Sequence, residues 1–197
     1  MPAAYEIRAD FDFQSIVIYQ AYSEQIASAA IKNQTFEAPF SFTRMTWIKP
    51  SFLWLMERSN WAQKSGQEHI LAIRIRRAAW EKALQEGVLT SPEKRVYPDG
   101  QIWYELFEQA KVHIQWDPER NLRGQKLEYN SIQVGISRYL IEEFVEEWIL
   151  EIKDYTPLAK KIHTLCKAGK YEQAKRFLPS EKQYVLSDEL KKQIGAS

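Results

Sequence analysis

Four short runs, SIVIYQAY (15–22), HILAIRI (69–75), KVHIQWD (111–117) and NSIQVGI (130–136), are crowded with β-branched and aromatic residues. Such side chains suit a pleated, half-buried surface better than a helix, so each run predicts a strand. HILAIRI alternates Ile70, Ala72 and Arg74 against Leu71, Ile73 and Ile75, a period-2 pattern with one apolar face. Segments of helical spacing lie between and after these runs. The expected fold class is therefore α+β: a single mixed or antiparallel sheet domain with a C-terminal helical hairpin.

The helical segments announce their ends. Ser23 is a cap candidate for a helix whose Ile26, Ala27, Ala30 and Ile31 share a face, with Asn33 as its stop. Pro50 divides the tryptophan-rich stretch SFTRMTWIKPSFLWLMERSNW, because its fixed φ and missing N–H suit a first helical turn. An extended part up to Trp47 and a helix from about Pro50 follow. AAWEKALQEG reads as a short helix ended by Gly87, and residues 88–110 as a turn-rich loop punctuated by Ser91-Pro92 and Pro98-Asp99-Gly100. After Ser137, Leu140, Phe144 and Trp148, flanked by Ile141, Val145 and Ile149, form the clearest helical stripe. Thr156-Pro157 starts another helix that runs to Gly169, and KYEQAKRFL makes its partner. This pair looks like one unit of the tetratricopeptide type. A lone unit cannot bury its own face, so it should dock on the rest. The expected division is residues 1–155 as core domain, 156–181 as docked hairpin and 182–197 as flexible tail.

Charge and composition narrow the function classes. The 197 residues carry 27 Lys plus Arg against 26 Asp plus Glu, which argues against a strongly basic nucleic-acid binder. No stretch is long and apolar enough to span a membrane, and the N-terminal segment has acids where a secretory leader needs an apolar core. The single cysteine, Cys166, can form no internal disulfide, so a cytoplasmic setting is expected. His69, His113 and His163 are widely spaced, with no HExxH, and no metal is expected. Neither a P-loop, a GxGxxG nor a GxSxG motif is present.

What remains is polar residues set among aromatics at strand ends. Tyr19 and Gln20 close the first strand; Arg44, Thr46, Trp47, Lys49 and Ser51 lie at the strand-to-helix junction; Arg74 ends the next strand; Gln115, Trp116 and Asp117 end the strand before Pro118; Ser131 and Gln133 lie on the last. Arg44 and Lys49 beside helix N-terminal amides would make an anion pocket. Tryptophans alongside would suit a base or nicotinamide ring. The alternative for the cations is a solvated or ion-paired surface, and for Gln20 and Gln133 a strand amide satisfying backbone groups. The RIRR run at 74–77 could touch phosphates or form a wet face.

The pattern IVIYQAY, FSFTRMTWIKPSFLWLMERSNWA, HILAIRI, VHIQWDPER, SIQVG and EEWILEIKDYTPLAKKI resembles the family called domain of unknown function 4291 across nearly the whole chain. A weaker resemblance is to the ADP-ribosyltransferase architecture. That resemblance implies NAD as the bound nucleotide, Gln20 as the polar residue ending the early strand, Thr46 or Ser51 near the second position, and Gln133 on the late strand. Such folds usually carry His or Arg first and Glu last. A neutral amide at Gln133 cannot stabilise an oxocarbenium-like centre as a carboxylate does. Two readings therefore stand: an enzyme that binds a small anionic ligand or nucleotide, with Gln20 and Gln133 catalytic, or a non-catalytic module that binds nucleic acid or protein through RIRR and the lysine-rich C-terminal helices.

Overall fold

The computed structural model describes residues 2–197. Strands β1 (Arg8–Ala9) and β2 (Ser15–Tyr22) lead into helix α1 (Glu24–Asn33). Then come β3 (Thr46–Ile48), α2 (Phe52–Ser59), β4 (His69–Arg76), α3 (Arg77–Gln85), β5 (Gly87–Leu89) and α4 (Gly100–Gln109). A hairpin of β6 (Val112–Arg120) and β7 (Lys126–Ile136) precedes the one-turn α5 (Ile141–Glu143), a π-helical turn over Phe144–Trp148 and β8 (Ile149–Asp154). The chain closes with α6 (Thr156–Lys167), α7 (Tyr171–Lys175), β9 (Lys182–Gln183) and α8 (Asp188–Ile194).

The class is α+β, but the strands form three sheets rather than the single one expected. One is antiparallel in the order β2-β4-β8; a second, β3-β7-β6-β5, is antiparallel except for the parallel pair β5/β6; the third is the small β1-β9 ribbon. The two larger sheets touch at a single backbone point. β2 and the end of β3 approach at one bridge, where the Tyr19 N–H donates to the Lys49 carbonyl at 2.7 Å. The chain then turns into α2 at Phe52, and no further β2–β3 pair forms among the described residues.

Burial on both faces of β2-β4-β8 follows from the alternation in its strands. Ile16 and Ile18 of β2 with Leu71, Ile73 and Ile75 of β4 enter the larger core, which also holds Trp80 and Phe144. Val17 and Tyr19 with Ile70 and Ala72 point the other way, into a smaller core closed by Phe52, Leu55 and Met56 of α2 and by Ala159, Ile162 and Ala174 of α6 and α7. The helical hairpin thus covers the apolar underside that β2 and β4 would otherwise expose. Gly169, at φ +73°, makes its turn.

Several expectations change. Residues 88–110 are not all loop: Asp99 caps α4, its Oδ1 accepting from the Gln101 N–H at 2.8 Å. The stripe from Leu140 does not run on as one helix; it widens into the π-helical turn and becomes β8, because Ile152 and its neighbours pair with β4. The residues expected as a loose tail carry β9 and α8, and Tyr184, Leu186, Leu190 and Ile194 are buried in the larger core. Gly87 follows α3 but serves β5. An added Cβ there would lie 2.6 Å from Cγ1 of the fully buried Ile114. Gly87→Ala is accordingly expected to cost about 1–3 kcal/mol by overpacking, read as a lower denaturant midpoint at unchanged slope.

Candidate functional site

The gap between the two larger sheets is bridged by a side chain. Gln20 follows Ile16 and Ile18 on one face of β2, and its Nε2 donates to Thr46 Oγ1 at 2.7 Å and to the Trp47 carbonyl at 3.0 Å. Tyr22, next on that face, brings its hydroxyl within 3.3 Å of Thr46 Oγ1. Gln20 Oε1 is buried and has no hydrogen-bond partner among the described residues. Above this seam opens a cleft of about 670 Å³, bounded by the ends of β2 and β3, the start of α2 and the middle of β6 and β7.

Strand alternation decides which residues reach it. Gln115 and Asp117 on β6 and Gln133 on β7 face the cleft. Asp117 is gripped at both oxygens: Gln115 Nε2 donates to Oδ1 at 2.9 Å and Gln133 Nε2 donates to Oδ2. Gln115 and Gln133 are partners in the antiparallel register, so their amides close on the carboxylate from neighbouring strands. Trp116, between Gln115 and Asp117, points away. Its Nε1 donates to the Ile194 carbonyl at 2.8 Å, and its ring packs edge-on against Tyr5.

Three cations surround the cleft: Arg44 before β3, Lys49 after it, and Arg58 on α2. Lys49 is only 7% exposed, and its ammonium lies 4.9 Å from the Trp54 ring centroid. Burial, and secondarily the Arg58 charge, push its pKa down to about 8, with Asp117 pulling weakly the other way. None of the three cations forms an ion pair among the described residues. Buried charges are normally paired; Arg44 and Arg58 are exposed, so the unmet charge is that of Lys49, and an anion would meet it.

Of the residues singled out in the sequence, Gln20, Arg44, Thr46, Trp47, Lys49, Gln115, Asp117 and Gln133 are brought together around this cleft. Tyr19, Ser51, Arg74, Trp116 and Ser131 are not. Tyr19 occupies the opposite face of β2 from Gln20, fully buried edge-on against Phe52. Ser51 is spent as the α2 cap, accepting from the Trp54 N–H at 3.1 Å. Sequence reasoning missed Arg58 and Trp54 as site residues; Arg58 could have been found from its position one helical turn after Trp54.

A family model described as Domain of unknown function (DUF4291) matches residues 6–184. The chain belongs to the DUF4291 family. Among curated proteins, none matches it. In this DUF4291 protein the RIRR run is already engaged: Arg74 reaches Ser15 Oγ at 2.8 Å and Asp12 at 3.2 Å, Arg76 the Glu147 carbonyl at 2.8 Å, and Arg77 Glu81 at 3.0 Å. Among the described residues no His, Cys, Asp and Glu cluster could hold a metal ion, and no helix is long and apolar enough to cross a membrane.

Proposed function

We propose that the cleft of this DUF4291 protein binds a nucleotide, and that the protein is an NAD-using enzyme of the ADP-ribosyltransferase type. The observation that carries the reading is Lys49: a buried ammonium in no ion pair among the described residues, facing a cleft that two further cations and the single carboxylate Asp117 line. Phosphates would meet Arg44, Lys49 and Arg58, and the Trp54 indole would flank a ring. Gln20, which lines the cleft, would orient the ribose.

The chemistry asks for a negative charge where the bond between ribose and nicotinamide breaks, because positive charge develops on the sugar. Asp117 supplies the carboxylate that Gln133 lacks. Both its oxygens are held by glutamine amides, so it would meet the developing charge already oriented. Gln115 and Gln133 would act as positioning residues, a change of role for Gln133 from the one its late-strand position suggests.

Calorimetric titration with NAD, ADP-ribose, AMP and pyrophosphate tests the proposal. Saturable heat with NAD and ADP-ribose is expected. Heat with pyrophosphate alone would keep an anion site and remove the NAD reading; no heat with any of the four, from folded protein, would reject both.

A further inference from the structure

On the far side of α2 from the cleft runs a second groove, of about 300 Å³, between α2 and the α6–α7 hairpin. Aromatic and cationic side chains line it, with one carboxylate, Glu57, that Arg120 neutralises at 3.6 Å. Trp61 stacks on His163 with centroids 5.2 Å apart and planes 9° from parallel, and the Arg123 guanidinium lies 4.5 Å over the Tyr171 ring. Trp61 reaches this position through a costly turn. Asn60, Trp61 and Ala62 take φ of 48°, 55° and 62°, three successive non-glycine residues in the left-handed region, at about 1–2 kcal/mol each.

The hairpin beside the groove is strongly basic. Between Thr156 and Leu178 six lysines and arginines face a single acid, Glu172, in a protein whose net charge is only +1. Glu172 is taken by Lys175 at 2.8 Å. Lys160, His163 and Lys167 recur at i, i+3 and i+7 on α6, so they form one stripe about 10 Å long, with Lys170 just past its end. Lys160, Lys167 and Lys170 are exposed and form no ion pair among the described residues.

A row of unpaired cations beside half-exposed rings is the arrangement that tracks a phosphate backbone while bases stack. We infer that this face binds single-stranded nucleic acid, with Lys160, Lys167, Lys170 and Arg123 on the phosphates and Trp61 and Tyr171 offering π surface to bases. The site goes beyond the nucleotide cleft and stands without it. Apolar residues of α6 and α7 hold the hairpin to the smaller core, so the cations can be removed without disturbing its packing.

The test uses the full chain and fluorescein-labelled 20-nucleotide strands, measured by anisotropy over a salt series. Binding of single-stranded RNA or DNA is expected, with log affinity falling against log salt by about 0.7 per phosphate contacted. The triple variant Lys160→Gln, Lys167→Gln, Lys170→Gln should bind at least tenfold more weakly with a slope smaller by about 2, and with unchanged melting temperature. A second triple, Lys94→Gln, Lys111→Gln, Lys126→Gln, removes the same charge from other exposed positions and should keep wild-type affinity. An abasic strand should bind more weakly than one bearing bases, and Lys49→Met should leave strand binding intact. Preference for RNA or for DNA identifies the physiological strand, and either supports the inference. Equal losses in both triples, equal affinity for abasic strand or duplex, or no binding at low salt would each overturn it.

Discussion

Lys49→Met is expected to weaken nucleotide binding by at least about 100-fold and, in the same protein, to raise the melting temperature. Both effects come from one ammonium. In the free protein it is desolvated and in no ion pair among the described residues, and its pKa is held near 8 against the pull of Asp117. An unfolded lysine titrates near 10.5, so between these values the unfolded chain binds more protons than the folded one. Lys49 therefore penalises the folded state fully below pH 8, and the penalty is relieved as pH rises from 8 through 10.5, by about 3 kcal/mol in all. Methionine has similar length, fits beside Trp54 and carries no such cost. The difference in unfolding free energy between variant and wild type should be largest at pH 7 and shrink towards pH 10.5. Binding of a phosphate should follow the opposite course in the wild type and fall as pH rises through 8. A destabilised variant with unaltered affinity would mean that the lysine stem is structural packing.

Asp117→Asn should separate chemistry from binding. The substitution keeps the shape and removes the charge, and it should lower nicotinamide release from NAD by roughly 100-fold or more, the scale of losing one oriented electrostatic group. Nucleotide affinity should hold or rise, because the cleft loses its only carboxylate and keeps its three cations. Release assayed by chromatography, beside calorimetry on the same samples, reads both quantities. Unchanged release would remove Asp117 from the reaction. Lost affinity at unchanged turnover would make it a binding group.

How much of this was legible beforehand depends on the range of the interaction involved. The β-branched run of β2, the alternation of β4 and the proline signals at Pro50 and Thr156-Pro157 are local, and the strands and helices they announce are present, although α2 begins after Pro50 with Ser51 as its cap. The same alternation, taken one residue further, would have put Tyr19 and Trp116 on the faces away from Gln20 and Asp117. Reading strand ends as clusters rather than as two faces is what grouped them together. Other features depend on distant partners. The stripe Leu140–Ile149 has helical spacing, yet β4 needs an edge partner and recruits Ile149–Asp154 as a strand. The C-terminal segment looks polar enough to be loose, but its few apolar residues meet a core assembled from far upstream. The separation into sheets depends on where β3 meets β2, a single bridge at Lys49 that no local pattern announces.

The most direct test of the cleft as an anion site is the titration of Lys49 itself. Reductive ¹³C-methylation of the lysines, with Lys49→Met to assign the signal, lets its pKa be followed by NMR with and without ADP-ribose. The account predicts a midpoint near 8 in the free protein and a rise towards the ordinary lysine value when the ligand is bound, since a phosphate beside the ammonium favours its charged form. A midpoint already at the ordinary value, or one that saturating ligand does not move, would contradict it.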